Sequence, residues 1–124
     1  MSKKILLADD DEGTIGALSK VLAGYDLVTA MDGTRALELA AAEKPDLVLL
    51  DINMPGLNGL EVLKKIKGRD IKPVVIMITG DADEGTVGKA LSLGVFAYLI
   101  KPFDSDQALE QVRRAFKFLE DSGG

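Results

Sequence analysis

The chain has 124 residues, a formal net charge of −5 and a sequence pI of about 4.7. A chain of this length is expected to form one domain around a single hydrophobic core, and its acidity argues against direct binding to nucleic acid. The absence of cysteine and histidine excludes disulfides, thiol catalysis and the commonest transition-metal ligands, so any metal must be a hard cation such as Mg²⁺, Mn²⁺ or Ca²⁺ held by oxygen.

The first half of the chain alternates between strand and helix patterns. Continuous apolar residues predict a strand buried on both faces at 5–8. Apolar residues at helical spacing follow, and Gly24 is placed to end that helix. A weaker strand at 27–30, suited to the edge of a sheet, leads into an Ala-rich helix at 35–43. The next strand, at 45–51, ends abruptly where the chain must turn.

The second half continues the alternation. Leucine and isoleucine residues at helical spacing predict a third helix, which Gly68 closes. The strand at 73–78 is the most apolar of all and suits a central position in the sheet. The fourth helix, at 83–93, contains Gly85 and Gly88, and each internal glycine costs about 1 kcal/mol relative to alanine. We therefore expect this helix to be the least rigid.

The chain closes with a strand at 96–100 and a helix at 105–120, which Asp104 is placed to cap. Five strands alternating with five helices through short connections predict an α/β fold with a doubly wound parallel sheet. One domain is expected, with a core at 3–120 and a frayed tail at 121–124. Since no apolar run is long enough for a membrane span or a signal peptide, a cytoplasmic protein is expected.

Polar residues stand at, or just after, the carboxyl ends of four predicted strands. They are Asp9 and Asp10, Asp51, Thr79 and Lys101. A doubly wound sheet with strand order 2-1-3-4-5 gathers the carboxyl ends of its strands at one edge, where ligands bind in such folds. The sequence therefore predicts one functional site that contains these residues.

The charges of this predicted site indicate what it binds. Two carboxylates about 4 Å apart repel by roughly 4 kcal/mol at an effective dielectric constant near 20, so the acidic cluster needs compensating charge. Lys101 supplies one positive charge, and Mg²⁺, which binds carboxylates together with phosphate oxygens, can supply the rest. The pattern favours phosphoryl transfer, with Asp51 as the nucleophile and with Asp9 and Asp10 suited to holding a metal.

The whole chain resembles a receiver domain of the two-component response regulators, the family that includes the chemotaxis regulator CheY. Four stretches carry the resemblance in order: Asp9-Asp10, the segment Asp-Ile-Asn-Met-Pro-Gly-Leu-Asn-Gly that starts at Asp51, Thr79-Gly80 and Lys101-Pro102-Phe103. The resemblance implies a five-stranded, three-layer sandwich of the flavodoxin and CheY type, with strand order 2-1-3-4-5.

The resemblance also implies a chemistry. Asp51 would accept a phosphoryl group from a histidine of a sensor histidine kinase or of a histidine phosphotransfer protein, and the domain would catalyse only its own phosphorylation and autodephosphorylation. Asp10, Asp51 and the backbone carbonyl of Asn53 would bind Mg²⁺ directly, while Asp9 would act largely through water. Asn53 and Asp81 would tune autodephosphorylation.

Three further residues take roles from the same resemblance. Lys101, joined to Pro102 by a cis peptide bond, would contact the phosphoryl oxygens, and Thr79 would hydrogen-bond to one of them after transfer. Tyr98 would be the aromatic switch that turns inward when Thr79 moves.

Apart from the resemblance, the fourth helix, weakened by Gly85 and Gly88, adjoins the strand that bears Tyr98. We therefore expect the surface of the fourth helix, fifth strand and fifth helix to be mobile before phosphorylation and to present the signal to a downstream protein, from a monomer or from a phosphorylation-dependent dimer.

Simpler interpretations of single residues stay open. The Thr79 hydroxyl could simply hydrogen-bond to the backbone of a turn at the end of its strand. Tyr98 could be a half-buried aromatic residue with its hydroxyl in water. Asp11 and Glu12 could be solvated acids at the start of a helix, where carboxylates are stabilised by the helix dipole.

Three other functions also stay open. A pseudo-receiver would use the same fold as a protein-binding module without phosphorylation. A phosphatase of the haloacid-dehalogenase type would need a second aspartate two residues after the first, where this chain has Asn53. A flavodoxin-like module would need a phosphate-binding loop rich in glycine and hydroxyl groups after the first strand, where this chain has four acids.

Overall fold

A computed structural model of the chain describes residues 3–68, 73–80 and 84–122. Within them the strands are β1 (Lys4–Ala8), β2 (Asp26–Ala30), β3 (Leu47–Asp51), β4 (Val74–Thr79) and β5 (Ala97–Ile100). The helices are α1 (Glu12–Val21), α2 (Gly33–Glu43), α3 (Gly59–Lys67), α4 (Glu84–Ser92) and α5 (Ser105–Asp121). Asp81, the predicted helix start at Asp83 and the terminal Gly123 and Gly124 lie outside the described residues.

The sheet has the predicted architecture. Its strands are all parallel and lie in the order β2-β1-β3-β4-β5, so β2 is an edge strand as expected. β3 occupies the middle of the sheet, and β4, buried along its whole length, is internal but one position away from the middle. Because the strands are parallel, their carboxyl ends share one edge.

Two apolar clusters cover the two faces of the sheet. Alternate residues of each strand contribute to opposite clusters, as the pleat requires. One cluster joins the strands to α2, α3 and α4, and the other joins them to α1 and α5. No helix in the described part of the chain has the length and apolarity needed to cross a membrane.

Several helix ends differ from the sequence-based expectation because local hydrogen bonds set them. α1 ends at Val21, before Gly24, and the N–H of Leu22 closes it on Leu18. Asp104 caps α5 as predicted, in a capping box with Gln107. The helix continues through Asp121, where Ser122 caps it by donating hydrogen bonds to the carbonyl of Phe118. The helix therefore extends one residue beyond the predicted end at 120.

Candidate functional site

Three strand ends bring two carboxylates and one ammonium group together. Asp9 directly follows β1, Asp51 ends β3 and Lys101 directly follows β5. By the alternation of side chains along a strand, all three continue the rows that face α1 and α5. Lys101 Nζ lies 2.9 Å from Asp9 Oδ2 and 3.6 Å from Asp51 Oδ2. The ammonium group thus contacts both carboxylates, at the sheet edge where the sequence predicted that these residues would gather.

Both carboxylates are almost completely buried. Asp9 is 0% exposed and Asp51 is 3% exposed. Asp9 Oδ1 accepts a hydrogen bond from the N–H of Asp11 at 2.9 Å, and Asp51 Oδ1 accepts one from the N–H of Asn53 at 3.3 Å. The oxygen Asp9 Oδ2 is buried and, among the described residues, has the ion pair with Lys101 but no well-aligned hydrogen bond. The site therefore holds more negative charge than its own donors satisfy.

This crowding changes the protonation of the site. The pKa of Asp51 is raised to about 6, first by burial and then by the negative charge of Asp9, against the opposing effects of Lys101 and of the hydrogen bond from Asn53. Burial acts to lower the pKa of Lys101, but the close contact with Asp9 and the charges of both carboxylates outweigh it, so the pKa is raised. Lys101 is therefore charged at neutral pH. Asp51 is mostly ionised at neutral pH, although its burial and the neighbouring Asp9 disfavour the charge.

Asp10 completes an acidic group at the surface of this site. One carboxylate oxygen from each of Asp9, Asp10 and Asp51 lies within 4.8 Å of the other two. Asp10 is exposed, so the group opens to solvent on one side. A group of three carboxylates with one ammonium beside it offers oxygen donors and excess negative charge, which fit a hard divalent cation such as Mg²⁺. The residues present therefore suit the predicted metal.

The loop after Asp51 is held by backbone contacts at both ends. We call residues 52–58 the acceptor loop. At its start, the N–H of Ile52 donates to Ile78 at 3.1 Å; at its end, the N–H of Gly59 donates to the carbonyl of Ile52 at 2.7 Å. Gly56 has a φ of 77°, which glycine adopts without strain. Asn53 lies in this loop with its side chain exposed, and its backbone N–H donates to Asp51 Oδ1 at 3.3 Å.

The structure places Thr79 at the same edge and joins it to Lys101. Thr79 ends β4 and is 1% exposed. Its carbonyl accepts a hydrogen bond from the N–H of Lys101 at 2.7 Å. The peptide bond between Lys101 and Pro102 is cis, as the family resemblance implied. Thr79 is therefore coupled through the backbone to the lysine that bridges the carboxylates.

Tyr98 makes a contact that the sequence did not show. Its hydroxyl donates to the carbonyl of Val87 at 3.0 Å and, more weakly, to that of Thr86 at 3.4 Å, both in α4. The interpretation that left this hydroxyl in water is therefore wrong. Burial raises the pKa of Tyr98, and its hydroxyl links β5 directly to α4.

A groove of about 460 Å³ beside the site was also missed from the sequence. It runs between α1 and the loop after β5, lined on one side by Gly13 and Ala17 and on the other by Lys101 and Phe103. Small residues four apart on α1 are the signal that could have indicated it. Asp11 caps α1 at the mouth of the groove, and its pKa is lowered by hydrogen bonds from the backbone of Gly13 and from Thr14.

Comparison with known proteins agrees with this geometry. A family model described as the response regulator receiver domain matches residues 5–113. Sporulation initiation phosphotransferase F of Bacillus subtilis is 36% identical over 116 residues, which are 92% of this chain and 94% of that protein. Other relatives are longer than this chain, which spans 48% of the length of one of them and 25% of the length of another.

Solved structures give the same result. A CheY-like response regulator receiver domain protein from Methanospirillum hungatei JF-1 superposes with a TM-score of 0.94 at 28% identity, covering 98% of this chain and 99% of that one. The CheX-CheY-BeF3-Mg complex from Borrelia burgdorferi contains a chain that matches with a TM-score of 0.86 at 30% identity, covering 91% of this chain and 88% of that one.

Proposed function

The chain belongs to the response regulator receiver domain family of two-component signalling, and from this premise we propose that it accepts a phosphoryl group on Asp51. It is a domain of a signalling protein rather than a classical enzyme. One observation supports the assignment to Asp51: this buried carboxylate ends the middle strand of the sheet, with the Lys101 ammonium 3.6 Å from its Oδ2 atom. Catalysis by the domain is limited to its own phosphorylation and autodephosphorylation.

The transfer step uses the strained carboxylate as a nucleophile. An oxygen of Asp51 attacks the phosphorus of a partner's phosphohistidine, the P–N bond breaks, and the imidazole leaves with the bonding electron pair. A carboxylate with a pKa of about 6 is mostly ionised at pH 7 yet poorly solvated, which favours attack. Lys101, 3.6 Å from Asp51 Oδ2, is placed to meet the phosphoryl oxygens as their charge develops. Thr79 hydrogen-bonds to one of those oxygens after transfer.

Mg²⁺ is part of this proposal. When bound, it neutralises charge on the phosphoryl group and on the carboxylates. Asp10, Asp51 and the backbone carbonyl of Asn53 would hold it directly, and Asp9 would act through water because its Oδ2 already faces Lys101. The grouping of one oxygen from each of Asp9, Asp10 and Asp51 supports this assignment. The similar Borrelia burgdorferi complex was solved with BeF3 and Mg.

The phosphodonor is a sensor histidine kinase or a histidine phosphotransfer protein, and the proposal keeps the cytoplasmic setting expected from the sequence. The surface of α4, β5 and α5 passes the signal to a downstream protein, from a monomer or from a phosphorylation-dependent dimer. Each of these three elements carries a large apolar side chain that is exposed: Leu91 in α4, Ile100 in β5 and Phe118 in α5. The Tyr98 hydroxyl joins β5 to α4. No observation favours the phosphatase or flavodoxin-like alternatives over this function.

The test is incubation of the protein with a small acyl phosphate and Mg²⁺, followed by intact-mass measurement and peptide mapping. We expect one added phosphoryl group on the peptide that contains Asp51, and no adduct when Mg²⁺ is removed with a chelator. No adduct under any condition would identify the chain as a pseudo-receiver. Continuous release of phosphate from an added phosphomonoester would instead support the phosphatase.

Tyr98→Phe should loosen α4. In the native protein we expect amides of α4 to exchange with solvent faster than those of β3 and β4, because α4 contains Gly85 and Gly88. Among the described residues, no atom beyond the nearby backbone of α4 itself lies within 4 Å of a Cβ built on Gly88. Removal of the hydroxyl deletes the bond to Val87, which is worth about 1 kcal/mol, so exchange in α4 should accelerate further.

The matched control is Tyr25→Phe, since the Tyr25 ring stacks on Phe116 rather than on α4. Exchange in α4 should be the same in this variant as in the native protein. Protection of native α4 equal to that of the central strands would contradict a surface that moves before phosphorylation. An unchanged α4 in Tyr98→Phe would show that the hydroxyl does not hold it.

A further inference from the structure

Gly33, the first residue of α2, is pressed against the acceptor loop. It is buried, and its N–H donates to the carbonyl of Pro55 at 3.2 Å. A Cβ atom on Gly33 would stand 1.8 Å from the carbonyl oxygen of Leu57 and 2.6 Å from the carbonyl carbon. Both obstacles are backbone atoms, which no rotation of a side chain can remove. Any other residue at 33 would therefore displace the acceptor loop.

The other end of the acceptor loop is fixed in a similar way by Gly59. A Cβ on this residue would lie 2.3 Å from the carbonyl oxygen of Asp51 and 2.7 Å from the Cα of Ile52. The loop is thus confined between the first residue of α2 and the first residue of α3. Asn53 lies between these two contacts, and its N–H reaches Asp51 Oδ1.

The element that presents Gly33 is itself firmly held. Asp32 caps α2 by accepting a hydrogen bond from the N–H of Arg35 at 2.7 Å. One turn into the helix, Ala36 is 0% exposed and belongs to the cluster that joins α2 to the sheet. These contacts hold the start of α2 in place against the sheet. We therefore expect that a side chain added at Gly33 would shift the acceptor loop rather than the helix.

We propose that Gly33 is a positioning residue for the phosphoacceptor site. Its backbone contacts with Pro55 and Leu57 fix the position of the acceptor loop. In that position the Asn53 carbonyl and the Asp51 carboxylate would both be available to Mg²⁺. Gly33 contacts neither the ion nor the phosphoryl group and acts only through Pro55 and Leu57. The inference rests on the proposed function of Asp51.

The test compares Gly33→Ala with Gly16→Ala, a control in α1 where no atom lies within 4 Å of the built Cβ. Three quantities are measured for each variant: urea unfolding without metal, the Mg²⁺ dissociation constant by calorimetry, and the rate of adduct formation from acyl phosphate. Gly33→Ala should weaken Mg²⁺ binding by about tenfold, as loss of support around a metal site does, and should slow adduct formation at subsaturating Mg²⁺. Gly16→Ala should leave the Mg²⁺ dissociation constant unchanged.

The outcomes separate this inference from the function on which it rests. Native protein that forms no adduct would overturn the function itself. Native protein that forms the adduct, with a Gly33→Ala variant that loses stability but binds Mg²⁺ as tightly as Gly16→Ala, would overturn the positioning role alone.

A measurement on the native protein keeps the inference testable should Gly33→Ala fail to fold. The Gly33 amide donates to Pro55 in the acceptor loop, so binding of Mg²⁺ at the other side of that loop should slow its hydrogen exchange. The amide of Ala36, bonded to Asp32 within α2, is the internal control and should not respond. A Gly33 amide as insensitive to Mg²⁺ as that of Ala36 would contradict the proposal.

Discussion

Asp51→Asn should abolish the phosphoryl adduct completely and at the same time make the metal-free protein more stable at pH 7. The amide cannot act as the nucleophile, so no phosphoryl group should be added from acyl phosphate. The amide also removes a buried negative charge from the side of Asp9. Intact-mass measurement and urea unfolding of the same sample check the two effects together.

Asp106→Asn is the matched control, because Asp106 is an exposed acid in the first turn of α5. It should form the adduct at the native rate and should unfold at nearly the native urea concentration. An Asp51→Asn protein that still gains the phosphoryl group would place the acceptor elsewhere. Loss of the adduct together with loss of stability would indicate damage to the fold rather than removal of the nucleophile.

The gain in stability depends on pH in a defined way. The pKa of Asp51 is raised from 3.8 to about 6 in the folded protein, so between these values the folded state binds more protons than the unfolded state. The contribution of Asp51 to the free energy of unfolding should therefore fall as pH rises from about 4 to about 6 and stay level above that range. The full shift corresponds to about 3 kcal/mol, which is the upper limit of the gain in Asp51→Asn.

Strand and site positions were predictable because they depend on local patterns. Each buried parallel strand is a short apolar run, and the residue that ends such a run must lie at one known edge of the sheet. That reasoning located Asp51 and Lys101 before any coordinates. The predicted strand order placed both at one edge of the sheet, and the structure has Lys101 Nζ 3.6 Å from Asp51 Oδ2.

The contacts between loops were not predictable in the same way. Gly33 gave the sequence pattern of an ordinary turn, and its closeness to Leu57 depends on how α2 and α3 pack over the sheet. The hydrogen bond from the Tyr98 hydroxyl to Val87 depends likewise on the distance between β5 and α4. The end of α1 before Gly24 was set by a backbone hydrogen bond at Leu22 that has no residue signature.

Lys101→Met should have opposite effects on metal binding and on phosphorylation. Methionine keeps an apolar stem but removes the ammonium group that faces Asp9 and Asp51. Breaking a buried ion pair by removing one partner costs about 3–5 kcal/mol. Since the Lys101 side chain is 26% exposed, we expect about 2 kcal/mol off the free energy of unfolding at pH 7 without metal.

Mg²⁺ should then bind more tightly, because a neighbouring positive charge no longer repels it. A gain of roughly tenfold corresponds to about 1.4 kcal/mol. Adduct formation should nevertheless slow by about a hundredfold, since a preorganised charge for the phosphoryl oxygens is lost. Lys64→Met, at an exposed position on α3, is the control and should change none of the three quantities. Calorimetry and the acyl phosphate assay decide between two roles for Lys101. Tighter Mg²⁺ binding with slower phosphoryl transfer would mean that Lys101 acts through its charge. Weaker Mg²⁺ binding in parallel with lower stability would mean that it organises the site by packing.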